Sequence, residues 1–124
     1  MKIFVALIAF LPLVSLAGSQ DASPILIGTA GSEMDACPSM GVTSQSLNLR
    51  SGPGPNYKVS QTLPRNEQLH ICGTSKDGKW YSVVLAMDGV LDCKVSSPVQ
   101  NPIQYTGPCI SGWVYSSKVK ITAG

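Results

Sequence analysis

Residues 47–59 read LNLRSGPGPNYKV and indicate the type of fold. It opens with alternating apolar and polar side chains, Leu47 and Leu49 sharing one face, which is the period of a half-buried β-strand. The following segment, 51–56, contains two prolines, which lack a backbone donor, and two glycines, which tolerate positive φ, so regular structure ends there. Tyr57 then begins another extended segment. The stretch predicts a strand, a proline-glycine loop and a return strand.

Short extended segments recur along the rest of the chain, separated by turn residues. Asp77-Gly78 lies at the centre of a predicted hairpin turn, and residues 116–118 form a predicted tight or 3₁₀ turn. The further predicted strands are 57–63, 69–72, 80–85, 111–115 and 119–121. Because no amphipathic helical stripe accompanies these strands, the sequence predicts an all-β fold, a small barrel or sandwich.

Three motifs together resemble the bacterial SH3 (SH3b) family, in the order and near the spacing typical of it. They are residues 47–59 quoted above, Trp80-Tyr81-Ser82-Val83 and Gly112-Trp113-Val114-Tyr115-Ser116-Ser117. The family characteristically has an LNVRSGPS…YKV opening, a GWYKV middle strand and a GWV strand near its end. The resemblance spans about residues 45–122 and implies an SH3-like barrel of about five short strands.

The chain departs from the family between the middle strand and the Gly-Trp-Val strand, where about two dozen residues are inserted. This insertion, residues 86–109, is rich in glycine and proline and predicts a long ordered loop or an irregular hairpin. Loops longer than about 12 to 15 residues without structure of their own are uncommon unless they are functional or cross-linked. We therefore expect a disulfide to close it.

Four cysteines follow the N-terminal apolar run: Cys37, Cys72, Cys93 and Cys109. An even number in a small exported chain predicts two disulfides. Three pairings are possible. We favour Cys93 with Cys109, because they bracket the insertion, which leaves Cys37 with Cys72. Zinc is disfavoured because structural zinc sites use closely spaced cysteine pairs, whereas the shortest spacing here is 16 positions.

The N-terminus predicts a secretory signal peptide over residues 1–17, with Lys2, an apolar run and cleavage after about Ala17. The run is shorter than the about 20 residues that span a bilayer, and Ser19 stands where a lipoprotein signal has its lipid-bearing cysteine. We therefore expect a periplasmic or secreted protein that is not held in a membrane after cleavage.

The remaining chain divides into two predicted parts. Residues 18–43, rich in Gly, Ser, Ala and Asp, predict a flexible N-terminal arm in which a short strand at 25–27 is possible. Residues 44–124 form the SH3b-like domain that carries the insertion. After cleavage the chain has eight Lys or Arg and seven Asp or Glu, a formal charge of +1. Because the basic residues are scattered, we expect no nucleic-acid partner.

Catalytic residues are scarce. The sole histidine, His70, lies on a predicted strand beside Cys72, which we expect to be disulfide-bonded and hence no nucleophile. Asp88 and Asp92 flank Gly89 in the insertion, too few ligands for calcium. The sequence therefore predicts no enzyme, no metal and no cofactor.

The resemblance implies a module that binds peptides or cell-wall components. Aromatic side chains beside polar groups are suited to holding an extended peptide, and we expect Trp113 to belong to the core instead. The candidate ligand-binding residues are Asn48, Arg50, Ser51, Tyr57, Trp80 and Tyr115.

Two hypotheses of function follow. The first is an exported, non-catalytic module that recognises peptidoglycan peptides or another envelope component. The alternative is a protein-interaction or inhibitory module whose contact surface is the insertion closed by Cys93 and Cys109. The sequence leaves the ligand and the oligomeric state open.

Overall fold

A computed structural model describes residues 21–87, 89 and 92–124; the predicted signal peptide and Asp88 lie outside these. The described residues form an all-β structure, as predicted, with one 3₁₀ turn at Ser116–Lys118. No helix in this part has the length and apolar character to cross a membrane. The strands are β1 (Leu26–Ile27), β2 (Ser39–Thr43), β3 (Leu47–Arg50), β4 (Val59–Leu63), β5 (Gln68–Thr74), β6 (Trp80–Leu85), β7 (Ile103–Gln104), β8 (Ser111–Tyr115) and β9 (Val119–Ala123).

The strands form two antiparallel sheets. Seven of them follow the order β4-β3-β8-β6-β5-β2-β9, and β1 pairs with β7 in a separate two-stranded sheet. Register shifts occur within β3–β4, β5–β6 and β2–β9. Such irregularities bend a sheet and increase its twist, which allows the seven strands to curve around one core.

The inner core is built from alternate residues of five strands. Leu49, Leu69, Val83 and Val114 have no exposed surface, and Gly112 of β8 lets this strand pass close to β3. A Cβ atom added to Gly112 would lie 2.7 Å from Leu49 Cγ, so only glycine fits. The complete inner core consists of Leu47, Leu49, Leu63, Leu69, Ile71, Val83, Leu85 and Val114.

A second core lies on the outer face of the sheet. Val84 points away from its inner-core neighbours Val83 and Leu85, yet it is fully buried. It packs there in a cluster with Ile25 and Ile27 of the N-terminal segment and with Val95 and Tyr105 of the insertion. Residues 83–85 of β6 are therefore all apolar, because both faces of the strand are covered there.

The two disulfides belong to this outer core and have the pairing that the sequence analysis favours. Cys37–Cys72 ties the segment before β2 to β5, and Cys93–Cys109 closes the insertion. The hydroxyl of Tyr105 donates to the backbone oxygen of Cys93 at 2.7 Å and accepts the backbone N–H of Cys109 at 3.1 Å. One buried side chain thus joins the backbones of the two cysteines that close the loop 93–109.

The structure differs from the sequence-based expectation in two respects. The N-terminal segment is not a flexible arm, and the described residues form nine strands rather than about five. In the described part of the arm, β1 pairs with β7 and β2 pairs with both β5 and β9, so this segment is integrated into the two sheets.

Thr43 explains why β2 lacks an apolar pattern. It is fully buried, and its hydroxyl donates to the backbone oxygen of Pro64 at 2.6 Å and accepts the backbone N–H of Glu67 at 2.9 Å.

Candidate ligand-binding site

An aromatic pair stands at one end of the sheet, where β6 begins and β8 ends. Trp80 and Tyr115 are direct partners in the β6–β8 register. Their ring centroids are 5.4 Å apart and their planes are 78° apart, an edge-to-face arrangement. Trp80 is only 8% exposed, whereas Tyr115 is 39% exposed. Trp80 therefore supports Tyr115, which presents its ring to solvent.

An open cavity of about 240 Å³ lies beside this pair. Strand β3 contributes Asn48 and Arg50, which alternate with the inner-core leucines. The lining consists of residues 45–47, Asn48, Arg50, Trp80, Tyr115 and Lys118. The structure thus brings together four of the six predicted ligand-binding residues, namely Asn48, Arg50, Trp80 and Tyr115.

Arg50 lines the cavity and also holds the proline-glycine loop. Its Nη1 atom donates to the backbone oxygens of Pro55 at 3.1 Å and Tyr57 at 3.0 Å. These bonds tie the end of β3 to the far side of the loop 51–57. The guanidinium is consequently held in place before any ligand arrives.

The other two predicted residues, Ser51 and Tyr57, are outside the cavity lining. The half-buried ring of Tyr57 lies on Gly52, where an added Cβ would be 2.1 Å from it. The backbone N–H of Ser51 donates to the backbone oxygen of Lys58 at 2.9 Å, and the backbone oxygen of Ser51 accepts the N–H of Ser23 at 2.8 Å. In this structure both residues shape the loop.

Lys118, Gln45 and Ser46 line the cavity but were not among the predicted residues. They come close to β3 because Ser44 donates both its backbone N–H, at 2.8 Å, and its hydroxyl, at 3.0 Å, to the backbone oxygen of Lys118. The sequence offered no signal for this contact, which joins residues 74 positions apart.

Trp113 lies on the outer face of β8, packed against the outer core and half-buried. Its indole N–H donates to the backbone oxygen of Ser23 at 3.0 Å, so the N-terminal segment covers it. A cavity of about 290 Å³ adjoins it between this segment and strands β5 and β6. The sequence predicts that Trp113 belongs to the core, and in the structure Trp113 packs against the outer core.

The insertion contributes a separate cavity of about 520 Å³. Its apolar lining includes Ile27, Val99 and Ile103, and Ile103 is 50% exposed. It involves none of the six predicted ligand-binding residues. The alternative hypothesis, protein binding through the insertion, would use this surface.

His70 is half-buried on β5, opposite Val84 of β6 and Met40 of β2. Burial lowers the pKa of His70, and the negative charge of Asp92 partly opposes this shift. Among the described residues, no group of three or more His, Cys, Asp or Glu side chains could hold a metal ion.

Comparison with protein families gives one match. The family model of the bacterial SH3 domain matches residues 45–120. Neither the curated proteins nor the solved structures include a significant match to the chain. The family match confirms the resemblance recognised in the sequence and, with the all-β structure, the SH3-like fold.

Proposed function

The chain belongs to the bacterial SH3 domain family, and from this premise we propose that it is an exported, non-catalytic module that binds peptidoglycan peptides. The family consists of binding modules, many of them associated with the cell wall. The proposal assigns binding to the cavity between β3 and the Trp80–Tyr115 pair.

The exposed ring of Tyr115 beside a cavity that also has polar side chains is the observation that carries the proposal. A tyrosine ring offers a large apolar face with little side-chain entropy to lose, and it suits an extended peptide. Asn48 and Arg50 stand on the same side and supply hydrogen-bonding groups. The combination can stack against a peptide and hold its polar atoms.

The lining of the cavity supports a non-catalytic role. The residues that form it include no histidine, cysteine, aspartate or glutamate. These are the usual side chains for general acid-base catalysis and for covalent catalysis in cell-wall hydrolases. The lining therefore lacks the side chains on which most such catalysis depends.

The disulfides support export. Both are buried parts of the outer core, and structural disulfides form and persist in oxidising compartments. A periplasmic or secreted location would also place the protein beside peptidoglycan.

Co-sedimentation with purified sacculi tests the proposal. The wild-type protein should sediment with sacculi, and Tyr115→Ala should lower the association constant by about fivefold or more, the effect of losing about 1 kcal/mol of contact. Ile110→Ala is the matched control, because Ile110 is also 39% exposed but does not line the cavity. Sedimentation at background level, or equal binding by wild type and Tyr115→Ala, would contradict the proposal.

A second candidate function is protein binding through the insertion, favoured by the cavity of about 520 Å³ and by the half-exposed Ile103. Deleting the insertion would also remove Val95 and Tyr105 from the outer core. The better test is Ile103→Asp, which should abolish capture of an envelope protein and leave the unfolding midpoint nearly unchanged. Undiminished capture would exclude this surface.

A further inference from the structure

The cavity beside the Trp80–Tyr115 pair has a one-sided charge. Arg50 and Lys118 are both part of its lining, and no acidic residue is. Elsewhere the charges of the chain nearly balance, so this local excess is a property of the site. A site lined by positive charge alone favours an anionic ligand group.

The charged side chains of the cavity are hydrogen-bond donors. Arginine and lysine side chains can only donate hydrogen bonds. The Oδ1 atom of Asn48 already accepts a hydrogen bond from the Thr62 hydroxyl at 3.0 Å, which leaves its amide N–H groups for a ligand. An ionised carboxylate, which only accepts, is the complementary group.

Arg50 is already oriented for this role. Its Nη1 atom is engaged by the backbone oxygens of the loop, and no other side-chain hydrogen bond of Arg50 occurs among the described residues. The N–H groups at Nε and Nη2 therefore remain to donate. A guanidinium that is fixed beforehand loses little entropy when it binds a carboxylate.

We infer that this cavity recognises a carboxylate of the peptidoglycan stem peptide, with Arg50, Lys118 and the amide of Asn48 as donors and Tyr115 packing against the adjoining peptide. The inference rests on the proposed function and specifies the group that is bound. A bound peptide would also displace water, which strengthens the charged hydrogen bonds.

The probes are a synthetic stem tetrapeptide with free carboxyl groups and the same peptide with every carboxyl converted to a carboxamide. Titrations of the mature protein should give at least about tenfold tighter binding of the free acid. Raising the salt from about 0.05 M to about 0.5 M should weaken binding of the acid and leave the amide unaffected.

Lys118→Gln is the test variant, because no side-chain hydrogen bond of Lys118 holds the fold in the described structure, whereas Arg50 holds the loop. It should weaken binding of the acid about fivefold and weaken binding of the amide by less, because the amide has no charge for Lys118 to pair with. Lys120→Gln is the matched control. It removes the same charge two residues away, on exposed β9 outside the cavity, and should bind like the wild type.

The outcomes separate this inference from the proposed function. If sacculi bind and the acid and amide peptides bind equally, the carboxylate inference is wrong and the proposed function stands. If the acid is preferred but Lys118→Gln behaves like Lys120→Gln, recognition lies elsewhere and the inference fails. If neither sacculi nor either peptide binds, both are overturned.

Discussion

Removal of the Cys37–Cys72 disulfide tests whether the outer layer contributes to the stability of the barrel. This bond connects the segment before β2 to β5, across a sequence separation of 35. In the chain-entropy description, cross-linking a loop of that length lowers the free energy of the native state relative to the unfolded state by about 4 kcal/mol. The separation of 16 for Cys93–Cys109 gives about 3 kcal/mol.

The variant Cys37→Ala/Cys72→Ala should therefore lose about 4 kcal/mol, a large share of the about 5–15 kcal/mol that stabilises a typical domain. Cys93→Ala/Cys109→Ala is the comparison variant and should lose about 3 kcal/mol. Urea unfolding of the oxidised proteins, followed by tryptophan fluorescence, measures both. The fluorescence of Trp113 reports on the outer layer, because the backbone oxygen of Ser23 accepts its indole N–H.

A loss below about 1 kcal/mol for Cys37→Ala/Cys72→Ala would refute this reasoning. So would the reverse order of the two variants, since the shorter loop would then contribute more. Separate unfolding transitions for the inner and outer cores would also contradict it, because β6 supplies buried residues to both cores.

Three further predictions concern the barrel. Gly112→Ala should lower the free energy of unfolding by about 1–3 kcal/mol in urea titrations, because the new Cβ would meet Leu49 at 2.7 Å and a β3 carbonyl oxygen at 2.8 Å; an unchanged midpoint would contradict the packing. Tyr57→Ala should lose about 2 kcal/mol because its ring covers Gly52, whereas Tyr57→Phe, which keeps the ring, should stay near the wild type; equal losses would show that the hydroxyl matters instead. Burial lowers the pKa of His70 from its ordinary value of about 6.5, so the unfolded state binds the proton more readily and stability should fall as the pH decreases through about 6.5. His70→Gln should reduce this slope between about pH 7 and about pH 5.5, and an unaltered slope would exclude the assignment.

Strands with clear apolar alternation or flanking turns were predictable from the sequence. Strands β3, β6 and β8 match their predicted ranges, and the turn after β8 is the predicted 3₁₀ turn. Strand β2 was not predictable, because its buried positions are Gly41 and Thr43. Thr43 is stabilised by hydrogen bonds to a distant segment, which no local pattern shows.

The outer layer was harder still to predict, although β1 lies within the short strand that the sequence allowed at residues 25–27. Strands β1 and β7 have two residues each and pair across the 75 residues that lie between them, Leu26 with Gln104 and Ile27 with Ile103. Segments this short carry no detectable period. Their pairing depends on the second core and the two disulfides, which join residues of the arm, β5, β6 and the insertion.

The candidate site was predictable in its aromatic and β3 residues. Trp80 and Tyr115 were chosen by residue type, and their contact follows from the β6–β8 register. The sequence does not show whether an aromatic ring faces solvent or packs on neighbouring glycines. Tyr57 was therefore predicted to bind the ligand together with Trp80 and Tyr115. Lys118 was missed because a scattered lysine has no local signature of a site.

The central claim, that the cavity beside the Trp80–Tyr115 pair binds peptidoglycan peptides, is tested most directly by NMR. The isotope-labelled chain of residues 18–124 would be titrated with soluble peptidoglycan fragments while both indole N–H signals are observed. We expect shifts for the Trp80 indole and for the amides of Asn48 and Tyr115, with the Trp113 indole and the insertion unchanged. Shifts confined to Trp113 or to the insertion, or no shifts at all, would contradict it.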